Sequence, residues 1–348
     1  MKTDRSGAAL FGFISAKIAS AQSCSPVTPA PSPAEVARVD PELVNPLISG
    51  PQWIVEACDL ELARSLPGPP PLEWPAPQPA KLTIPGRGKA PPVDLVVVDP
   101  GQTTTPRPAL LWMHGGGYVL GDASQELPIL QLTAMEQDCL IVSVDYRRAP
   151  ETPFPGSLED NYAALLWLYR NAESLGVDPK RIAVGGDSAG GGHAAMLAIA
   201  ARDRGEVPVL FQLLIYPMLD DRTGSTDQGS LFTGQFLWLR QSNVFGWTSL
   251  LGSPAGSGSA PPGSVPARVE DLAGLPPAFI GVGALDLFVE EDVEYARRLI
   301  AAGVATELLV VPGAYHGFDM VAPLAQVSQR FTAAWQSALA KAFLATGG

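Results

Sequence analysis

Cysteine is scarce in this chain: Cys24, Cys58 and Cys139 are its three, widely spaced and odd in number. No disulfide framework follows from them, and without a Cys-x-x-Cys pair they do not suggest zinc. Basic runs are missing as well. Lys and Arg number 23 against 35 Asp and Glu, a formal charge of -12, which argues against nucleic acid as a partner and against an anionic membrane surface. No stretch is long and apolar enough to span a bilayer. Histidine is limited to His114, His193 and His316, so any search for a catalytic imidazole is short.

What is present suits one large α/β domain carrying an insertion. The chain has 348 residues, 46% of them hydrophobic, enough to bury a sizeable core, and 35 each of Gly and Pro promise long loops. Met1 to Ser23 carries a basic residue, a short apolar run from Ala8 to Ile14, and small residues Ala19 and Ala21 that imitate a signal-peptide cleavage site. Asp4 and Lys17 interrupt that pattern, so the reading is a retained amphipathic helix and a cytoplasmic protein. The alternative is export, with the first ~22 residues as a signal peptide.

Residues 1–80 read as a proline-punctuated helical appendage, with helices around Ala34 to Val39 and Ile54 to Ser65 and a stiff connector from Leu66 to Ala80. Strand and helix then alternate. Strands are expected over Pro92 to Asp99, Ala109 to Met113, Leu140 to Asp145, Arg181 to Val184, Val209 to Tyr216, Pro277 to Ala284 and Thr306 to Val311. Helices are expected over Leu158 to Ser174, from the elbow described below to Arg204, over Val289 to Ala302 and over Pro323 to Leu344. This is the pattern of a mostly parallel, doubly wound sheet. Asp220 to Pro266, polar at both ends and aromatic in the middle, is too long for an ordinary loop and reads as an inserted lid. The main body is thus split into 81–218 and 267–348, with 219–266 as the insertion.

The chemistry centres on Gly186-Asp187-Ser188-Ala189-Gly190, a Gly-x-Ser-x-Gly placed between the apolar Arg181 to Val184 and an alanine-rich run. A strand turning sharply into a helix needs glycine on either side of the serine, and the turn pushes the hydroxyl out at the sheet edge. Close packing of a helix on a strand would also explain the small residues. Ser188 as a nucleophile needs a base, and His316 lies in a loop after the last expected strand, at the carboxyl edge where α/β sites assemble. His193 falls on the helix after the elbow, where it packs or makes one hydrogen bond. The acid is expected between serine and histidine. Asp286 ends a strand there, whereas Glu290, Glu291 and Asp292 occupy a first helical turn that favours acids anyway; Asp220 and Asp221 are the fallback. His114-Gly115-Gly116-Gly117-Tyr118, delivered by the strand ending at Met113, can offer backbone N–H groups to a developing oxyanion, as can Ala189. Asp145, Arg147 and Glu151 read as a turn with internal ion pairs that braces the glycine loop, in preference to a site for a substrate carboxylate.

Taken together, His114-Gly115-Gly116-Gly117-Tyr118, Asp145-Tyr146-Arg147-Arg148-Ala149-Pro150-Glu151, Phe154-Pro155, Leu158-Glu159-Asp160, Gly186-Asp187-Ser188-Ala189-Gly190-Gly191, Asp286 with Glu291, and His316-Gly317-Phe318 resemble the hormone-sensitive lipase-like, or bacterial family IV, esterases. The resemblance runs from about Leu110 to the end of the chain. It implies an α/β-hydrolase fold with an eight-stranded sheet and a helical cap built from the N-terminal part and the insertion. It also implies a triad of Ser188, Asp286 and His316, oxyanion donors from Gly116, Gly117 and Ala189, and a homodimer through the last strand and helix. The Gly/Ser/Pro runs around Gly224 to Gly229 and Ser253 to Ser264 depart from any pattern of the family and leave substrate preference open.

The leading expectation is a serine carboxylesterase acting on short to medium acyl esters of small molecules, with no metal or organic cofactor. Hydrolysis of amides, lactams or carbamates is the first alternative, because one constellation serves several acyl groups. From another class comes a ligand receptor, since plant hormone receptors resembling this family keep the fold but lack the histidine; His316 and Asp286 argue against it.

Overall fold

A computed structural model describes residues 31–48, 55–56, 60–65, 73 and 76–345. The helix expected at the amino terminus, Cys24, Cys58 and most of the connector lie outside the described residues.

One sheet of eight strands organises the chain: β1 Pro79–Ile84, β2 Val93–Val98, β3 Arg107–Met113, β4 Leu140–Asp145, β5 Val177–Asp187, β6 Gln212–Ile215, β7 Ala278–Gly283 and β8 Thr306–Val311. Their order across the sheet is β1-β2-β4-β3-β5-β6-β7-β8. The β1–β2 and β2–β4 pairings are antiparallel, and every later one is parallel. Parallel neighbours need long crossovers, which the helices supply. The helices are α1 Pro33–Val36, α2 Pro41–Ile48, α3 Leu60–Arg64, α4 Leu127–Gln137, α5 Gly156–Arg170, α6 Ala189–Arg204, α7 Arg240–Leu251, α8 Val289–Ala301, α9 Phe318–Val321 and α10 Gln326–Leu344, of which α4 to α8 lie in the connections from β3 to β8.

Strands covered on both faces should be apolar throughout. All seven residues of β3 and all six of β7 are buried. Two apolar layers result. One face packs Leu165 of α5, Leu197 of α6 and Leu299 of α8; the other packs Leu130 of α4 with Trp335 and Leu339 of α10. Each such side chain contributes roughly 1.5–3 kcal/mol by leaving water, so the central strands and their carboxyl ends are firmly held.

The structure differs from the sequence reading in instructive places. β1 shows no alternation because it is an outer strand whose residues Ala80 to Thr83 are exposed in succession. α4 carries apolar residues around its whole circumference: Leu127 and Leu130 are buried while Leu132 and Met135 are exposed, so no single stripe announces it. The last expected helix starts three residues late, at Gln326, and a short helix not expected from the sequence precedes it. α9 stops at Val321 and α10 starts at Gln326, with Pro323 between them, a residue that can neither donate nor fit inside a helix. β5 runs on past Val184 to Asp187, directly into the serine turn.

Between β6 and β7 the chain makes its long excursion, which contains α7. Trp247 of α7 is fully buried edge-on against Tyr118, ring centroids 4.9 Å apart, and the Leu250 carbonyl accepts from the Phe154 N–H at 2.7 Å. The excursion is therefore anchored on the loops at the carboxyl edge of the sheet.

Candidate active site

At the end of β5 the backbone turns through Ser188, whose φ of 54° and ψ of -120° lie where a residue with a β-carbon is strained. Packing enforces the turn. A β-carbon at Gly186 would meet the Met113 carbonyl oxygen at 2.4 Å, and one at Gly190 would meet it at 2.0 Å, so both positions must be glycine for α6 to sit this close to β3. The Ser188 N–H donates to the Ile215 carbonyl at 2.8 Å, and its carbonyl accepts from Gly192 and Met218. The side chain is the one part of Ser188 left to face the site.

His316 sits in the loop after β8 and Asp286 in the loop after β7. The structure brings both to Ser188: His316 Nε2 is 3.0 Å from Ser188 Oγ, and His316 Nδ1 is 2.8 Å from Asp286 Oδ2. An ionised carboxylate only accepts, so Nδ1 carries the hydrogen and Nε2 presents a lone pair to the serine hydroxyl. The second Asp286 oxygen accepts from the Phe288 N–H at 3.0 Å. Tyr216 and Phe288 stand edge-on to the imidazole, at 4.9 and 5.1 Å between centroids, and fix its plane.

The glycine loop after β3 reaches the same edge. Gly116 has φ 114° and Gly117 φ 60°, backbone that a residue with a β-carbon rarely adopts. Among the described residues, none accepts a hydrogen bond from the N–H of Gly116, Gly117 or Ala189, and the last of these opens α6. The loop is braced from behind by the Tyr146 hydroxyl, which donates to the His114 carbonyl at 2.7 Å, and by the Ala149 N–H, which donates to Tyr118 O. His114 stacks on Tyr146 at 4.2 Å and donates through Nδ1 to the Gly115 carbonyl at 2.8 Å. His193 packs edge-on against Tyr118 and Tyr146 and has no hydrogen-bond partner among the described residues.

The remaining sequence candidates fall elsewhere. The ion pairs of Asp145 to Glu151 point outward and are not internal: Arg147 pairs with Asp160 of α5, and Glu151 with Arg64 of α3. Side chains in a tight turn point away from one another, and the partners come from packed neighbours. Arg64 also donates to the carbonyls of Val119 and Ala149, tying α3 to the glycine loop. Asp220 binds Arg222, and Asp221 binds Arg268. Glu291 accepts from the N–H groups of Leu219 and Asp220 and from the Thr223 hydroxyl, which holds the start of the excursion. Among the described residues no three His, Cys, Asp or Glu side chains are grouped to hold a metal ion.

Sequence reasoning did not identify the acidic shell behind the serine. Burial and the nearby Asp319 carboxylate push Asp187 up to about 7, and burial raises Asp319 and Glu126 as well. Asp319 accepts from the Tyr216 hydroxyl at 2.9 Å, and a β-carbon at Gly115 would lie 2.5 Å from Asp187 Oδ2. Asp187 lies inside the serine motif, but nothing in its spacing reveals this desolvation. Trp238 was missed too. A β-carbon on Gly117 would meet its ring at 2.1 Å, so the indole rests on the glycine loop, and Gly246 of α7 faces the Gly117 carbonyl so closely that a β-carbon there would be 2.4 Å from the oxygen.

Residues 110–320 match a protein family described as alpha/beta hydrolase fold. The chain belongs to that family. Within it, it is a hormone-sensitive lipase-like esterase. Carboxylesterase NlhH of Mycobacterium tuberculosis is 39% identical over 246 residues, covering 67% of this chain and 74% of that protein. Ethyl acetate hydrolase of Pseudomonas putida is 33% identical over 238 residues, covering 68% and 71%. Among solved structures, a bacterial heroin esterase superposes with a TM-score of 0.79 at 38% identity, covering 88% of this chain and 99% of that one. Esterase LipW from Mycobacterium marinum gives 0.77 at 34% identity, covering 89% and 97%. This esterase is a carboxylic ester hydrolase, and no helix among its described residues is long and apolar enough to cross a membrane.

Proposed function

We propose that the protein hydrolyses short to medium acyl esters of small molecules through an acyl-enzyme formed on Ser188. The observation that carries the reading is the hydrogen-bonded chain from Ser188 Oγ through the His316 ring to Asp286, at 3.0 and 2.8 Å. Ser188 Oγ attacks the ester carbonyl carbon while His316 Nε2 takes its proton, and Asp286 stabilises the imidazolium that forms. The oxyanion is met by the N–H groups of Gly116, Gly117 and Ala189; each such donor is typically worth ~3 kcal/mol of barrier. As the carbon–oxygen bond breaks, His316 returns the proton to the departing alcohol. A water then gives its proton to His316, attacks the acyl carbon and releases the acid with Ser188 restored.

The excursion between β6 and β7 and the amino-terminal segment act together as a cap over the sheet edge. The contacts of Arg64 and Trp247 with the glycine loop support that division. A homodimer through β8 and α10 suits the outer position of β8, on which Leu308 and Val310 are partly exposed.

The test is Ser188→Ala assayed on p-nitrophenyl esters from two to sixteen carbons beside matched anilides. Loss of ester cleavage with an unchanged circular dichroism spectrum is the expected result. Surviving turnover would end the mechanism, and faster cleavage of the anilides would move the substrate class to amides.

A further inference from the structure

The carbonyl and the N–H of one trans peptide unit lie in one plane and point in opposite directions, so whatever holds the carbonyl also aims the N–H. The Gly117 N–H, one of the oxyanion donors proposed above, shares a trans unit with the Gly116 carbonyl. Two N–H groups converge on that carbonyl, Leu120 at 2.8 Å and Val119 at 3.1 Å. Each belongs to a peptide unit whose own carbonyl is held in turn. The Leu120 N–H shares its unit with the Val119 carbonyl, which accepts from Arg64 Nε at 2.8 Å. The Val119 N–H shares its unit with the Tyr118 carbonyl, which accepts from the Ala149 N–H at 3.0 Å, and the Ala149 carbonyl accepts from Arg64 Nη2 at 2.8 Å. Both branches end on one guanidinium of α3. Glu151 takes Arg64 Nη1 and Nη2 on its two carboxylate oxygens at 2.7 and 3.0 Å, a bidentate pair that sets the plane of the fork. The Glu151 side chain is 60% exposed, and an ion pair in that setting adds little stability. Its effect is one of direction: it points Nε and Nη2 at two main-chain carbonyls.

We propose that Arg64 is a positioning residue of the oxyanion site, acting through two successive peptide units to aim and polarise the Gly117 N–H. The inference rests on the Ser188 reading and deepens it. The bonds run in one direction: from Arg64 Nε–H to the Val119 carbonyl, from the Leu120 N–H to the Gly116 carbonyl, and from the Gly117 N–H to the substrate oxygen. A permanent cation at the start of such a chain draws electron density along it and strengthens each later donor. The last bond gains most as negative charge grows on the substrate oxygen. The amino-terminal segment thereby does more than cover the sheet edge, because through Arg64 it completes the site of reaction.

The experiment measures kcat and KM of wild type, Arg64→Ala and Arg64→Lys on a phenyl ester and on its thionoester, in which sulfur replaces the carbonyl oxygen, with Ser188→Ala introduced into each background. Sulfur is the weaker acceptor, so the thionoester depends less on how well the N–H groups are aimed. Removing an oxyanion donor outright costs roughly a hundredfold or more in kcat. Misdirecting one costs less, so Arg64→Ala should lower kcat for the ester roughly ten- to hundredfold with KM little changed. The thionoester should lose far less, narrowing the ester-to-thionoester ratio of kcat/KM by roughly tenfold. Arg64→Lys should fall between, since an ammonium lacks the fork that reaches both carbonyls. The proposal is overturned if a folded Arg64→Ala lowers both substrates equally, raises KM alone or changes neither. Arg64→Lys is judged by the same criterion should Arg64→Ala fail to fold. Hydrolysis persisting in the Ser188→Ala backgrounds would instead remove the Ser188 reading, whatever the ratios show.

Discussion

Acidification from pH 7.5 to 5 should weaken this fold through two histidines that take no part in the proposed chemistry. His114 and His193 are fully buried around Tyr146, beneath the glycine loop. Burial pushes His114 down to about 4, and burial with the neighbouring His114 pushes His193 down to about 3. An unfolded chain accepts protons on both near pH 6.5, whereas the folded protein refuses them until the pH is far lower. Their contribution to stability is therefore complete above pH 6.5 and is lost as pH falls toward 4 and 3. Between pH 6.5 and 5 each residue forfeits about 2 kcal/mol, since one pH unit of unequal proton uptake is worth ~1.4 kcal/mol. The buried carboxylates of Asp187, Asp319 and Glu126 pull in the opposite direction, so the comparison must be made between variants. Urea unfolding of wild type and His193→Phe at both pH values isolates the term: the variant keeps an aromatic ring at the position and should lose about 2 kcal/mol less than wild type on acidification. Identical losses would refute the assignment of acid sensitivity to this buried imidazole.

Two further outcomes follow from the packing of the serine turn. Gly190→Ala adds helix propensity of about 1 kcal/mol, yet its β-carbon would lie 2.0 Å from the Met113 carbonyl oxygen, backbone that cannot swing aside, so the net effect should be destabilisation of roughly 1–3 kcal/mol together with a fall in kcat. Gly258→Ala, which meets nothing within 4 Å, is the control, and equal melting temperatures for the two variants would contradict the steric argument. Asp187→Asn should raise the melting temperature at pH 8 but not at pH 4, because a carboxyl held up to about 7 stabilises the fold when protonated and loses that contribution as pH rises through its folded value; an unchanged melting temperature at pH 8 would mean that the charge is better accommodated than its burial implies.

The three residues proposed to react, which the fold brings together, were legible because each is announced locally. Ser188 sits between glycines after an apolar strand, and Asp286 and His316 each follow a strand in the order that elbow requires. β4 and β8 match their expected bounds to the residue, since short β-rich runs flanked by breakers have few other readings. Features that arise from contacts between remote segments left no such trace. Trp238 reads as one aromatic among several in a long excursion, and only the fold shows that its ring rests on Gly117. The partners of Arg147 and Glu151 are likewise set by which helices pack beside the turn, not by neighbours in the chain. β1 and α4 escaped for another reason: one is exposed over successive residues and the other is apolar all round, so neither repeats with the period that marks its class.

The meeting of Gly246 with the Gly117 carbonyl has a consequence for how such enzymes can diversify. Where two segments touch main chain to main chain, neither can be exchanged as an independent module. A chimera that grafts a relative's excursion onto this sheet and places any larger residue at position 246 would push on the very peptide whose placement the chemistry needs. New substrate ranges are reached more readily by side-chain changes along the excursion than by its wholesale replacement.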